Sequence, residues 1–444
     1  MKQYPSYKDS GIEWLGEIPE GWDAKKFRRV SRLKQGLQIA QSERFYEAGD
    51  DRYEYITIKS IHAKNNNNSK EYIEGPPPNV RCNKNDVLLA RTGATGEVIT
   101  DVYGVFHNNF FRIDFDRTAI LRDFLVYYLR NPLIYQHLIV LAGTTTIPDL
   151  NHNDFLETLF LYPSPNEQRE IVKFLDRQTG QIDELIEKKE RQIELLKEKR
   201  AALISHAVTK GLDPDVPMKD SGIEWLGEIP EGWEAIRVKL IEGNDTSVVQ
   251  TGPFGAQLHA SDYLDEGVPL ILICNVRDLK IDETDIPRIS KEDAERLFKY
   301  RLNVGDIVFS RVGSIGRIAL CTEREKGWLI SGQMLRLRIQ NPIIDNKFSL
   351  YSFSSKCLLT FVEIQSVGST RESINTDILR NIPILLPPLT EQHAIADFLD
   401  RETGRIDQLS AKVQESIEKL REYRTALISA AVTGKIDVRG EVLS

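Results

Sequence analysis

Mostly apolar positions spaced alternately four and three apart run through Ile182, Ile186, Lys189, Ile193, Leu196, Arg200, Leu203 and Ala207. The same spacing returns at Ile406, Ser410, Val413, Ile417, Leu420, Arg424, Leu427 and Ala431. That is the seam of a coiled coil, and it predicts two long helices of matching period that pack on each other. The apolar seam is expected from Ile182, Ile186, Ile193, Leu196 and Leu203 against Ile406, Val413, Ile417, Leu420 and Leu427. Arg200 and Arg424 interrupt it at equivalent places, as polar residues that fix register do. Prolines mark where each helix begins ("YPSPNEQ" at 162–168, "LPPLTEQ" at 386–392), with Asn166 and Thr390 as the expected N-caps. Gly211 and Gly434 are the expected C-terminal caps. Gly180 and Gly404 predict an early kink or break.

Glu167 to Val208 is 42 residues, about 63 Å at the helical rise. Nine acids and nine bases make this stretch neutral, the charge of a spacer rather than of a phosphate binder. Asp183, Glu187 and Lys189 imitate a nuclease triad, but Lys189 is a seam position and the run reads as a solvated helix face.

Elsewhere the period changes. Short β-like runs ("YEYITI" 53–58, "DVLLAR" 86–91, "PLILICNV" 269–276, "DIVFSR" 306–311, "QMLRLRI" 333–339) alternate with loops and helical stretches such as "LRDFLVYYLRN" at 121–131. They predict mixed α/β globular regions. "RTGATGE" (91–97) and "RVGSIGR" (311–317) each follow a strand; Gly-x-x-Gly there is a tight hairpin in preference to a phosphate cradle.

The whole pattern occurs twice. "DSGIEWLGEIPEGW" at 9–22 returns at 220–233, an offset of 211; the strand–glycine segments match at 220, and "EQREIVKFLDRQTGQIDEL" (167–185) meets "EQHAIADFLDRETGRIDQL" (391–409) at 224. Each copy therefore runs tag, variable globular region, closing helix. Shared ends around divergent middles suggest one scaffold carrying two readers, against the alternative of a duplication whose loops drifted. Met218 at the start of the second copy is compatible with fusion of two half-length genes.

Length and composition fit this picture. The chain has 444 residues with 41% hydrophobic and 28% charged, a globular composition too long for one core. No leader-like or membrane-spanning apolar run is found, which predicts a cytoplasmic protein. Cys82, Cys274, Cys321 and Cys357 lack metal-ligand spacing and are expected to be buried or half-buried thiols. The seven histidines are dispersed. Nucleotide-loop, nucleophile-elbow and zincin motifs are missing, as is the Asn/Asp-Pro-Pro-aromatic signature of amino-methyltransferases, so no chemistry is expected of this chain alone.

The net charge of −8 averages over basic clusters that matter locally. "KKFRRVSRLK" at 25–34 carries Lys25, Lys26, Arg28, Arg29, Arg32 and Lys34 without an acid. The 311–338 segment carries Arg311, Arg317, Arg336 and Arg338; the last two alternate, so a strand would project both from one face toward a phosphate backbone. Arg91 and Thr92 at the first glycine loop, Thr144 and Thr145 in "GTTTIPDLN" (143–151), and Ser369 and Arg371 in "GSTRESIN" (368–375) complete the candidate DNA contacts.

The twofold "EWLGEIPEGW" tag, "GPFGAQL" (252–258), "GSTRESIN" and "LLPPLTEQHAIADFLDRETGRIDQL" (385–409) make the chain similar to the DNA specificity subunit of Type I restriction-modification enzymes. The first half lacks a counterpart of Arg371 and of "PFG". The resemblance implies two target-recognition domains (1–162 and 212–386) of mixed α+β fold, held apart by two antiparallel conserved helices (163–211 and 387–434) with approximate internal twofold symmetry, and a tail at 435–444. Each domain would read one half of a bipartite, asymmetric site in double-stranded DNA, and the helices would set the gap. It further implies two DNA adenine methyltransferase subunits bringing S-adenosylmethionine and, where present, ATP/Mg-dependent restriction subunits; this chain itself would need no cofactor. The competing reading is a non-DNA coiled-coil scaffold with two protein-binding arms. The tag would be a packed seam or a methyltransferase dock.

Overall fold

The computed structural model describes residues 2–12, 15–62, 70–143, 148–241, 249–254, 257–311, 316–365 and 373–440. They form two compact units, Met1–Glu190 with Glu415–Ser444, and Arg191–Gln414. Each unit thus takes the start of one long helix and the end of the other.

Both tags fold as β-hairpins, Tyr7–Asp9 on Glu17–Pro19 and Met218–Asp220 on Glu228–Pro230, each in antiparallel register. Side chains hold the turns: Asp9 and Asp220 accept from the amides of Gly11 and Gly222, and Ser10 and Ser221 accept from Ile12 and Ile223. The strand leaving each tag, Asp23–Lys26 or Glu234–Arg237, pairs with the strand that precedes the long helix, Leu159–Tyr162 or Pro383–Leu386. The two ends of each globular region therefore pair with each other and close it at its base.

In the first unit one antiparallel sheet has the order Ser31–Gln35, Phe110–Phe115, Leu88–Ala90, Val98–Ile99. A second sheet orders Tyr72–Glu74, Arg52–Ile56, Gly104–Phe106 and Arg81–Cys82, with the middle pair parallel. The second unit repeats this with Val249–Thr251, Met334–Leu337, Ile307–Ser310 and Ile318–Leu320, and with Arg288–Ile289, Val268–Ile271 and Leu329–Ile330. In the first copy the Gly-x-x-Gly segment is the hairpin between Leu88–Ala90 and Val98–Ile99, with Gly93 and Gly96 at positive φ, where a side chain is strained.

The long helices run uninterrupted over Pro165–Lys210 and Leu389–Val432, so Gly180 and Gly404 do not break them. The caps differ from expectation. Ser164 Oγ, not Asn166, accepts from the amide of Glu167, with Pro165 in the first turn; Thr390 lies inside the second helix. Gly211 and Gly434 follow the helices with φ of 77° and 73°. A Cβ on Gly434 would fall 2.4 Å from Pro19 and 3.3 Å from Trp22, so the end of that helix abuts the tag. Trp22 and Trp233 are 1% exposed.

Within the first unit Ile171, Phe174, Leu175 and Ile182 share a core with Leu427, Ile428 and Ala431; within the second, Ile204, Ala207 and Val208 share one with Ile395, Ala396 and Leu399. The start of each helix meets the end of the other, which makes the pair antiparallel. Arg424 binds Asp183 and Arg200 binds Asp407, reciprocal pairs at the repeat offset of 224. All the seam positions, from Ile182 to Ala207 and from Ile406 to Ala431, are buried or half-buried.

Gln168 and Gln392 are 0% exposed. Gln168 accepts from the amide of Leu121 and donates to the carbonyls of Ala119 and Pro163; Gln392 does the same with Asp345, Ile343 and Pro387. Tyr127 to Asp176 and Tyr351 to Asp400, each 2.7 Å, tie a short helix to a long one in each copy. Of the described cysteines, Cys82 and Cys321 are buried, and burial pushes both thiols up, Cys82 to about 12. Cys274 is exposed, contrary to expectation.

Candidate nucleic-acid interface

The basic run at 25–34 crosses the strand Asp23–Lys26, the short helix Phe27–Val30 and the strand Ser31–Gln35. Folding brings acids to it from elsewhere in the chain. Lys26 binds Glu157 at 2.5 Å, Arg28 meets the same carboxylate, Lys34 binds Asp114 at 3.0 Å, and Lys25 lies over the Tyr162 ring and 3.7 Å from Asp23. Arg29 and Arg32 are exposed, and among the described residues neither has an acidic partner. These two keep an uncompensated charge for a polyanion.

Arg336 and Arg338 point into the domain and not toward a phosphate backbone. Arg336 is 2% exposed and donates to the carbonyls of Lys299 and Arg301 and to Gln250. Arg338 grips Asp306 through two bonds of 2.8 and 2.7 Å and also reaches Arg301. Alternation on the strand put both on one face, but that face is internal. The equivalent residue in the first copy, Arg112, donates to the carbonyl of Arg81 and pairs with Asp114. A guanidinium tying the same loop to the same strand in both copies is part of the framework. Arg317 likewise donates to the carbonyl of Ile273. Thr144, Thr145, Ser369 and Arg371 lie outside the described residues.

The glycine loops differ between copies. Arg91 forms a bidentate pair with Asp149 at 2.9 and 2.7 Å, and Thr92 donates to the same carboxylate at 2.6 Å. Hydrogen bonds from Arg91, then Thr92, hold the Asp149 carboxyl below its usual range. In the second copy the corresponding position is Ser373, because Leu150 and Ile374 make the same amide bond to the carbonyls of Arg91 and Arg311. Arg311 instead lies 4.9 Å from the Phe254 ring.

A cleft opens at corresponding backbone positions in each unit, and Arg311 lines the second. In the first unit a cleft of about 440 Å³ is lined by Arg44 with its partner Glu71, Tyr55, Thr57, His107 and Asn109, among others. In the second a cleft of about 530 Å³ is lined by Phe254, Tyr263, Arg311, Ser331 and Gln333, among others. His107 and Ser331 each follow the strand that pairs in parallel, and the carbonyls of Asn109 and Gln333 accept from the amides of Arg91 and Arg311. The backbone positions correspond; the side chains do not. His107 accepts the Asn109 amide through Nδ1 at 3.0 Å, which leaves the proton on Nε2, while burial and then the Arg44 charge push its pKa down. It is a neutral donor at pH 7. Sequence reading missed His107, Asn109 and Gln333, whose proximity comes from strand pairing. Among the described residues no His, Cys, Asp or Glu group suits a metal ion, and no helix is long and apolar enough to cross a membrane.

This fold of two repeated α/β units on paired long helices is shared with a solved structure described as the basis of complex assembly and conformational transition of the type I R-M system, with a TM-score of 0.68 at 19% identity, covering 94% of this chain and 99% of that one. The specificity subunit of the Type I restriction enzyme MjaVIII from Methanocaldococcus jannaschii is 24% identical over 98% of this chain and 97% of its own. That of EcoKI from Escherichia coli is 25% identical over 95% and 90%. Residues 19–195 and 264–419 match the family described as the Type I restriction modification DNA specificity domain, and the chain belongs to that family.

Proposed function

We propose that this chain selects the DNA sequence for a Type I restriction-modification assembly, with residues 1–162 and 212–386 each addressing one half of a bipartite, asymmetric target in double-stranded DNA. The observation that carries this is the pair of clefts: one framework, repeated in backbone detail, presents His107 and Asn109 in one copy and Arg311, Ser331 and Gln333 in the other. Framework residues such as Gln168, Gln392, Arg112 and Arg336 are preserved between copies while cleft side chains change. Such donors and acceptors suit base edges. The exposed Arg29 and Arg32 suit the phosphate backbone.

The helices at 163–211 and 387–434, zipped along Ile182, Ile186, Ile193, Leu196 and Leu203 against Ile406, Val413, Ile417, Leu420 and Leu427, set the unspecified gap and dock two adenine methyltransferase subunits. S-adenosylmethionine belongs to the methyltransferases and ATP with Mg to any restriction subunits; this chain contributes recognition in the cytoplasm and no bond-making step. Modified-base sequencing of the host genome, with the methyltransferase present and this chain present or deleted, tests the reading. Loss of methylation at one gapped, asymmetric motif is expected on deletion. An unchanged pattern would favour the non-DNA scaffold.

A further inference from the structure

Resting on the DNA-recognition reading above, we infer that Arg311 reads a guanine in the half-site addressed by the second unit, through its two-pronged contact to the O6 and N7 edge. Arg91 and Arg311 occupy the same framework position, each with its amide on the carbonyl of Asn109 or Gln333. They are not equivalent chemically. Arg91 is locked and neutralised by the bidentate pair with Asp149. With serine at 373, no carboxylate among the described residues binds Arg311.

What holds Arg311 instead is a platform. The guanidinium lies over the Phe254 ring, 4.9 Å from its centroid, a contact that uses none of its donors; Nε is buried without a hydrogen-bond partner. The backbone that leads into Phe254 is constrained: a Cβ at Gly252 would fall 2.1 Å from the carbonyl oxygen of Ser331, so only glycine lets it lie against the 330–332 segment, while the Phe254 ring is 48% exposed. The first copy keeps the glycine as Gly36, against the carbonyls of Phe106 and His107, but carries Gln38 where Phe254 stands. The platform and the freed arginine therefore occur together, in one copy only.

Ser331 is 6% exposed and lines the same cleft with Gln333; its Oγ is sealed from solvent and has no hydrogen-bond partner. A buried hydroxyl is costly unless something completes it. A planar cation and the Gln333 amide along one wall match a row of base edges. A phosphate alone asks for neither the stacked plane nor the amide. Arginine to guanine is the commonest specific major-groove contact and discriminates against the wrong base by about 5- to 150-fold.

The test uses the full chain with its methyltransferase subunits in cells, wild type against R311A and R311Q, read by modified-base sequencing. Wild type should methylate one bipartite motif; if it does not, the DNA-recognition reading fails and the inference about Arg311 falls with it. R311A should leave the first half-site intact and make one guanine position of the second degenerate. R311Q should shift that position toward adenine, which glutamine prefers. An unchanged, fully specified motif in both variants overturns the inference. Should R311A abolish methylation, competition binding with duplexes altered one base pair at a time decides. Insensitivity confined to one G·C pair supports it; uniform weakening with a salt slope reduced by about 1 makes Arg311 a phosphate contact and overturns it.

Discussion

Replacing Gln392 by methionine isolates what the repeated "EQ" does. Methionine nearly preserves the volume, so little cavity forms, but three hydrogen bonds vanish: from the Asp345 amide and to the carbonyls of Ile343 and Pro387. The Pro387 carbonyl lies in a fully buried bond, and an orphaned buried group costs about 1–3 kcal/mol. The other two bonds are half-buried, and water recovers part of each, leaving roughly 0.5–1.5 kcal/mol apiece. The total is about 4 kcal/mol, near the 1,000-fold scale in an opening equilibrium. Hydrogen–deuterium exchange of the full chain should show protection falling by about that factor around 343–345 and at the start of the second long helix. The segment around Gln168, in the other unit, serves as internal control and should hold. Protection within threefold of wild type at 343–345, or an equal loss around Gln168, would refute the assignment.

Three further outcomes follow from the same geometry. R336M should destabilise the second unit by about 3–5 kcal/mol in urea unfolding, because it strips donors from a buried network; a normally stable variant with a reduced salt slope would make Arg336 a DNA contact after all. R29A/R32A in the assembled complex should weaken binding to all sequences and lower the salt slope by about 0.9 per lost phosphate contact, leaving the methylated motif unchanged; a changed motif would make them base readers. Asp149 ionises below its ordinary range because Arg91 and then Thr92 bond its carboxylate, so the clamp's contribution is complete above about pH 3.9 and is lost as pH falls through the depressed value. D149N should remove that contribution at neutral pH and flatten the acid limb of stability around the 91–97 loop; identical acid profiles would contradict the clamp.

The long helices were legible because a four-three spacing declares which side is shielded, and positive-φ glycines such as Gly211 and Gly434 declare where a helix stops. The strands at 88–90, 307–310 and 334–337 could be read from short apolar runs in the same way. Ion-pair partners could not. Glu157, Asp114 and Asp149 reach Lys26, Lys34 and Arg91 only through tertiary folding, so a cation-rich segment looked freer than it is. Arg336 and Arg338 misled for a related reason: alternation says that two side chains share a face, and does not say whether that face meets solvent. His107, Asn109, Ser331 and Gln333 carry no local motif, and strand pairing alone brings them to equivalent places.

The central claim is a division of labour between two units on one scaffold, and exchange of residues 23–160 for the corresponding segment of another family member tests it most directly. The joints fall at the strand pair Asp23–Lys26 and Leu159–Tyr162, where the base of the first globular region closes. Modified-base sequencing of cells carrying the exchanged chain should show a new first half-site joined by the same gap to the original second half-site. A change in both half-sites, or in neither, would contradict the account.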